Sequence, residues 1–213
     1  MLRVVVHATT PDPAAIETAA VAIRAGGLVV LPTDTLYGLA ADPFNNTAVR
    51  RVFAVKRRAD GQALPLMAAD TAQVVRYIGA LPTAAERLAR RFWPGPLTLL
   101  LSAPDSLAIE TTGGTGLVGV RVPNHQVARA LCRASDRPLT ATSANISGQP
   151  ASADPNAVLA ALRGEEARID VLLDAGTTAG GLPSTIVDMS EGVARLVRAG
   201  AIPWEEIRAC LNA

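Results

Sequence analysis

Residues 28–42 read LVVLPTDTLYGLAAD. The apolar run Leu28, Val29, Val30, Leu31 is short and bounded by Gly26-Gly27 before and Pro32 after. A run of that length between such breakers reads as a buried strand. Hydroxyl and carboxyl residues, Thr33, Asp34 and Thr35, follow it at once. The same association of an apolar run with a short polar one recurs in VGVRVPNH (118–125), PLTATSANISG (138–148) and LPSTIVD (182–188). In open α/β sheets, ligands bind in the crevice outside the carboxyl ends of strands. Polar runs placed where strands end, together with the cations Lys56, Arg57 and Arg58, point to a site for a small anionic molecule and a nucleotide.

Working outward, Asp12 is a good N-cap and Pro13 suits the first helical position. Ile16, Ala19, Ala20 and Ile23 give that helix its apolar face, and Gly26-Gly27 ends it. A second helix runs from Asn46 through Val49, Val52 and Phe53 to Lys56. A strand is expected at 64–68, then helices at 71–78 and 83–92, the latter stopped by Trp93-Pro94-Gly95-Pro96. Strands are expected at 97–101, 118–122 and 139–142, with a helix at 126–133. Asp154-Pro155 repeats the cap-and-proline start, for a helix reaching Gly164. Strands at 171–173, 185–187 and 195–197 and a helix at 204–211 complete the chain. Strands and helices mix without strict alternation, which favours a mixed sheet covered by helices over a purely parallel one. No repeat or linker divides the chain, so one domain over 1–213 is expected.

Hydrophobic residues make up 49% of the chain and aromatic ones 3%, so the core must be Ala, Val and Leu. So few aromatics argue against single-stranded nucleic acid bound by base stacking. Twenty basic and nineteen acidic residues leave a net charge of +1 and no global pull toward nucleic acid or anionic membrane. Two isolated cysteines make neither a disulfide framework nor a zinc signature. No apolar run is long enough to span a bilayer or act as a signal peptide, so a soluble, cytoplasmic protein is expected.

Several motifs have competing readings. Gly114-Thr-Gly116-Leu-Val-Gly119 matches a dinucleotide fingerprint by pattern. A strand follows it instead of a helix, and the preceding 109–112 is a poor strand. Ser143 lacks a nucleophile elbow, and two histidines are too few for a metal cluster. His125, after Pro123-Asn124, reads as a helix cap. Lys56, Arg57 and Arg58 either complement a helix dipole or clamp phosphate. Arg121, inside the apolar run VGVRV, needs a partner: a structural carboxylate, or the carboxylate of a substrate. Thr33, Thr35, Ser143, Asn145, Ser147 and Ser184 are each ordinary turn or cap residues, and together with Lys56, Arg58 and Arg121 they make a site.

At these residues the chain resembles the YrdC family, the L-threonylcarbamoyladenylate synthases. P-T-[DE]-T-x-Y-G-L stands at 32–39, K-x-R at 56–58 and V-x-V-R-x-P-x-H at 118–125. S-A-N-x-S-G stands at 143–148, S-T-x-V-D at 184–188, and the late arginine at Arg198. The resemblance implies an α+β fold with an α/β-like three-layer arrangement, YrdC/RibB-like: a mixed, twisted sheet of about seven strands flanked by helices, around a positively lined cavity. It implies a nucleotidyltransferase that makes threonylcarbamoyl-AMP and pyrophosphate from L-threonine, bicarbonate and ATP. That product feeds tRNA modification at the adenosine next to the anticodon, with tRNA or tRNA-modifying proteins as further partners and no membrane. Carried over by motif, Thr35, Arg121, Ser143 and Ser184 contact threonine, and Lys56, Arg58, Asn145, Ser152 and Arg198 contact ATP. Lys56 and Arg58 are the expected catalytic pair. Mg²⁺ is expected with ATP, bridging phosphates with few protein ligands. Two departures stand out: a longer loop at 59–64 before Pro65-Leu66, and Arg198-Ala-Gly where the family has R-P-G. The resemblance implies the short, single-domain form. Two other readings are an RNA-binding module using Arg50, Arg51, 56–58, Arg87, Arg90 and Arg91, and a carbamoyl-adenylate former with another substrate.

Overall fold

The computed structural model describes residues 1–59, 61–165 and 168–212. Among these are eleven short strands in two sheets. The first sheet has β1 (Leu2–Val5), β9 (Val171–Asp174), β2 (Val29–Leu31), β3 (Gly38–Ala40) and β8 (Thr142–Ser143), in that spatial order. The second has β11 (Arg195–Arg198), β10 (Thr185–Asp188), β5 (Leu97–Ser102), β6 (Leu117–Arg121), β4 (Leu66–Met67) and β7 (Leu139–Thr140). Both sheets mix parallel and antiparallel pairs. The expected mixed α/β fold flanked by helices is therefore what the chain adopts, with its strands divided between two sheets where one sheet of about seven was expected.

The division has a local cause. The expected strand at 139–142 breaks at Ala141, so that β7 pairs with β4 and β8 pairs with β3. The chain thus crosses from one sheet to the other within one residue, and strands of two residues, each too short to stand out in sequence, complete both edges. β1 and β3 are further strands that the sequence pattern leaves unmarked.

Residues 28–31 are wholly buried, as their apolar run predicts. Side chains on a strand alternate between faces. Val29 and Leu31 pack with α1 (Pro13–Arg24) and α6 (Gln126–Ala134). Leu28 and Val30 pack with α2 (Asn46–Lys56) and α7 (Pro155–Ala161). A third cluster lies under the second sheet, formed with α3 (Thr71–Tyr77), α4 (Thr83–Phe92) and α8 (Trp204–Asn212).

The helix starts follow their caps. Asp12 Oδ1 accepts from the Ala14 amide at 2.8 Å, and Asp154 Oδ1 from that of Asn156 at 2.9 Å. Asn45 Oδ1 accepts from the Thr47 and Ala48 amides at 3.0 and 3.2 Å, so the helix begins at Asn46 as expected. α7 stops at Ala161, three residues before Gly164. Residues 109–112 form a short helix, α5 (Ile109–Thr112), which explains why they make a poor strand.

Tyr37, in the β2–β3 connection, is fully buried. Its hydroxyl donates to Gly176 O at 2.7 Å and accepts from the Ala175 amide at 3.1 Å. Burial, aided by the nearby Asp174 carboxylate, pushes its pKa up to about 12. Tyr37→Phe keeps the packing and leaves that carbonyl and amide without their partner. Its expected cost is about 1–3 kcal/mol of folding stability. Urea denaturation checks this, as a lower midpoint at unchanged slope.

Candidate active site

A cavity of about 530 Å³ is lined by residues of both sheets. Thr33 and Thr35 come from the β2–β3 connection, and Ser143 ends β8. Met67, Thr98 and Arg121 come from β4, β5 and β6, Ser184 precedes β10, and Arg198 ends β11. Arg58, just past α2, completes a set of three guanidinium groups. Thr35, Arg58, Arg121, Ser143, Ser184 and Arg198, six of the residues marked in sequence, thus converge.

Ser184 corrects one expectation. It lies at the amino end of its strand, not after a carboxyl end. The sheet directions explain how it still arrives. β6 runs antiparallel to β5, and β10 runs parallel to β5. The carboxyl end of β6, with Arg121, therefore meets the amino ends of β5 and β10, with Thr98 and Ser184. Thr98 and Ser184 share a hydroxyl–hydroxyl bond of 2.8 Å. Arg198 Nη2 donates to Ser184 O at 2.7 Å and to its Oγ at 3.1 Å. Thr98 is one hydroxyl in the apolar strand LTLLLS, and only strand pairing reveals its place.

Arg121 pairs with Asp34, whose side chain is 14% exposed against 13% for the arginine. Arg121 Nε also donates to Gly95 O at 3.1 Å, and the Asn124 amide donates to Asp34 at 3.2 Å. Arg121 therefore has a structural carboxylate, 87 residues away in sequence, and still lines the cavity. Asp34, which stands inside the quoted stretch and was given no role from sequence, is the carboxylate that holds Arg121. His125 stands at the N-cap of α6 but makes no side-chain cap bond, so the expected capping role is corrected. Its Nδ1 is buried without a hydrogen-bond partner, and burial lowers its pKa against the opposing pull of Asp34.

Lys56, Asn145 and Ser152 are not among the cavity-lining residues. Lys56 is 2% exposed. Its Nζ donates to Ser143 O at 2.5 Å, Asn145 O at 2.9 Å and Asn145 Oδ1 at 3.1 Å. An ammonium has three protons, and all three are used. Ser143 Oγ donates to Asn145 Oδ1, and Asn145 Nδ2 donates to Gln149 O, both at 2.5 Å. Ser152 accepts from the Tyr37 amide through its carbonyl at 3.0 Å and from the Asp154 amide through its Oγ at 3.0 Å, while its neighbour Ala151 lines the cavity. The loop 59–64 contributes Ala63 O, which accepts from Arg58 Nη2 at 2.9 Å, and Asp60 lies outside the described residues.

Three guanidinium groups line the cavity, and one of them, Arg121, is paired with a carboxylate. Burial lowers the pKa of Arg58. Burial, and then repulsion from Arg121, lowers that of Arg198. Burial and the neighbouring Arg58 charge pull Lys56 down to about 8. The lining offers hydroxyls, carbonyls and guanidinium groups without a carboxylate. Such a donor set suits carboxylate or phosphate and does not suit a divalent cation. The cations proposed for an RNA face are engaged locally. Arg50 pairs with Glu110 at 2.8 Å, Arg51 with Asp170 at 2.9 Å, Arg57 with Glu165 at 3.2 Å and Arg90 with Glu86 at 3.8 Å. Arg87 donates to Leu211 O at 2.7 Å, and Arg91 lies over the Phe92 ring.

Two mixed sheets around a cavity lined by guanidinium groups and hydroxyls define an α/β protein with a site whose donors suit an anion. The sequence family Sua5_yciO_yrdC, described as telomere recombination, matches residues 21–200. The chain belongs to this family. A threonylcarbamoyl-AMP synthase of Pyrococcus abyssi is 41% identical over 192 residues, covering 90% of this chain and 56% of the relative. One from Bacillus subtilis is 37% identical over 205 residues, covering 96% and 58%. The crystal structure of P. abyssi Sua5 complexed with L-threonine superposes with a TM-score of 0.91 at 38% identity, covering 99% of this chain and 61% of that one. The chain thus spans under two thirds of the length of these relatives. Among the described residues no helix is long and apolar enough to cross a membrane.

The Lys56 ammonium generates a pH dependence. The unfolded chain binds this proton with a pKa of 10.5, and the folded chain releases it near 8. Between these values unfolding takes up a proton, so the Lys56 contribution to stability rises with pH. Cys132, whose buried thiol is pushed from 9.0 to about 12, acts with the opposite sign above pH 9. Urea midpoints between pH 8 and 9 are expected to rise in the wild type and to flatten in Lys56→Met.

Proposed function

We propose that this chain forms L-threonylcarbamoyl-AMP and pyrophosphate from L-threonine, bicarbonate and ATP, acting as a nucleotidyltransferase. The observation that carries the reading is the convergence of Arg58, Arg121 and Arg198 with Thr35, Ser143 and Ser184 on one cavity. Its support is membership of a family in which P. abyssi Sua5 is solved with L-threonine. The product would serve tRNA threonylcarbamoylation beside the anticodon, with tRNA or tRNA-modifying proteins as later partners and a cytoplasmic site of action.

In this mechanism the threonine amine and bicarbonate condense to a carbamate with loss of water. A carbamate oxygen attacks the α-phosphorus of ATP, the bond from that phosphorus to the α,β-bridging oxygen breaks, and pyrophosphate leaves with the electron pair. No protein nucleophile is needed, so catalysis is positioning and charge stabilisation. Arg121 presents the guanidinium edge not turned to Asp34 to the threonine carboxylate. Thr35, Ser143 and Ser184 supply hydroxyls to the rest of the amino acid. Arg58 and Arg198 meet the phosphates. Lys56 and Asn145 act from beneath, holding the loop that carries Ser143, and Ser152 borders the nucleotide end. Magnesium would arrive on the nucleotide, because the lining provides it no carboxylate.

Pyrophosphate release with ATP and bicarbonate tests the reading directly. Release should require L-threonine, and serine should support it poorly. Equal release without an amino acid sinks the assignment. A steep salt dependence of RNA affinity without such turnover would favour the RNA-binding module instead. In calorimetric titrations, Arg121→Ala should lose threonine affinity by about 2–5 kcal/mol and ATP-analogue affinity by much less. Arg121→Lys should also bind threonine poorly, since an ammonium lacks the planar fork. Unchanged threonine binding with a large fall in stability would make Arg121 an ion-pair member only.

A further inference from the structure

We infer that Gly113 is a positioning residue for Arg58, acting through the loop 61–63. The inference rests on the reading above, in which Arg58 meets phosphate. Gly113 opens the glycine-rich stretch 113–119, which no dinucleotide motif explains. It is the C-cap of α5 and has a φ of 59°, in the left-handed region. A Cβ built there would lie 2.6 Å from Gly61 O and 2.8 Å from the Ala63 amide nitrogen. Both contacts are with backbone, so the loop rests directly on a bare Cα. The adjacent Leu64 amide donates to Thr111 O at 2.9 Å, fastening the loop to the same helix. Ala63 then uses its carbonyl to accept from Arg58 Nη2 at 2.9 Å. Arg58 Nε is buried without a hydrogen-bond partner, so among the described residues Ala63 O is the acceptor that directs this guanidinium. A side chain on Gly113 must lift the loop, and the carbonyl moves with it. The longer loop and the glycine-rich stretch thereby form one device that aims a cation into the cavity.

Gly114 supplies the control. Its φ is 77°, and a Cβ there meets nothing within 4 Å. Gly114→Ala therefore carries the left-handed strain without the collision. The probe is inorganic tripolyphosphate, titrated calorimetrically beside L-threonine and an ATP analogue. Gly113→Ala should weaken tripolyphosphate on the order of tenfold relative to Gly114→Ala, the scale of one charge-assisted hydrogen bond. Threonine affinity should stay level, and Gly113→Ala should add nothing in an Arg58→Ala background. Equal tripolyphosphate binding by the two glycine variants overturns the inference, as does a further loss in the Arg58→Ala background. Should Gly113→Ala not fold, inserting one glycine between Gln62 and Ala63 shifts the same carbonyl and leaves Gly113 bare. Retained affinity there overturns it equally. Wild-type protein that takes tripolyphosphate but neither threonine nor the ATP analogue would end the functional reading while the glycine comparison still decides this one. Wild-type protein that binds no tripolyphosphate overturns both.

Discussion

The buried ammonium of Lys56 is the constraint on which the site depends. Removing an ammonium from water is costly unless its protons are all met. Here one loop meets all three, through Ser143 O, Asn145 O and Asn145 Oδ1. The backbone closes the same link from the other side, since Lys56 O accepts from the Ser147 amide at 2.8 Å. The end of α2 and the loop 143–147 therefore form one unit. Ser143 is also in register with Gly38 across the β3–β8 pair, so the unit is tied to the first sheet. A hydroxyl carried on this loop has little freedom, which is what a site built on positioning requires.

A second fastening joins the sheets. Asp34 lies in the β2–β3 connection of the first sheet, and Arg121 ends β6 of the second. A nearly buried ion pair adds little net stability, because desolvation offsets the attraction. Its effect here is directional. Asp34 and Gly95 O take one side of the guanidinium and fix its plane. The structural and the substrate-binding readings of Arg121 are thus compatible, since a fork has more donors than one carboxylate can use.

Much of this was legible in the sequence, for identifiable reasons. Caps at Asp12 and Asp154 and the apolar run 28–31 announce themselves by short-range chemistry. Thr35, Arg58, Arg121, Ser143, Ser184 and Arg198 stand in motifs whose joint order marks them. What stayed hidden depends on long-range pairing. The break at Ala141 divides one expected strand between two sheets, and no local signal distinguishes it from a continuous strand. Thr98 is indistinguishable from a core threonine until β5 is placed beside β6 and β10. Asp34 carries no local signal of its role, because its partner Arg121 lies 87 positions on. Lys56 was legible as a cation but not as a buried one, because its acceptors come from a loop 87 and 89 residues away.

The choice of cation at each place follows from the same physics. A net charge of +1 conceals the cavity: outer arginines such as Arg50, Arg51 and Arg57 pair with carboxylates, while three guanidinium groups line one space. Burial favours the neutral form of a cation, and a neighbouring like charge adds to it. Lysine yields to that pressure, and Lys56 is drawn to about 8 even with three oxygens around it. Burial also lowers Arg58 and Arg198, but a guanidinium holds its proton far more firmly than an ammonium does. The groups that must present charge to an incoming anion are therefore guanidinium groups. The one ammonium sits behind them, where its work is to hold a loop and where two backbone oxygens and the Asn145 side-chain oxygen meet its charge.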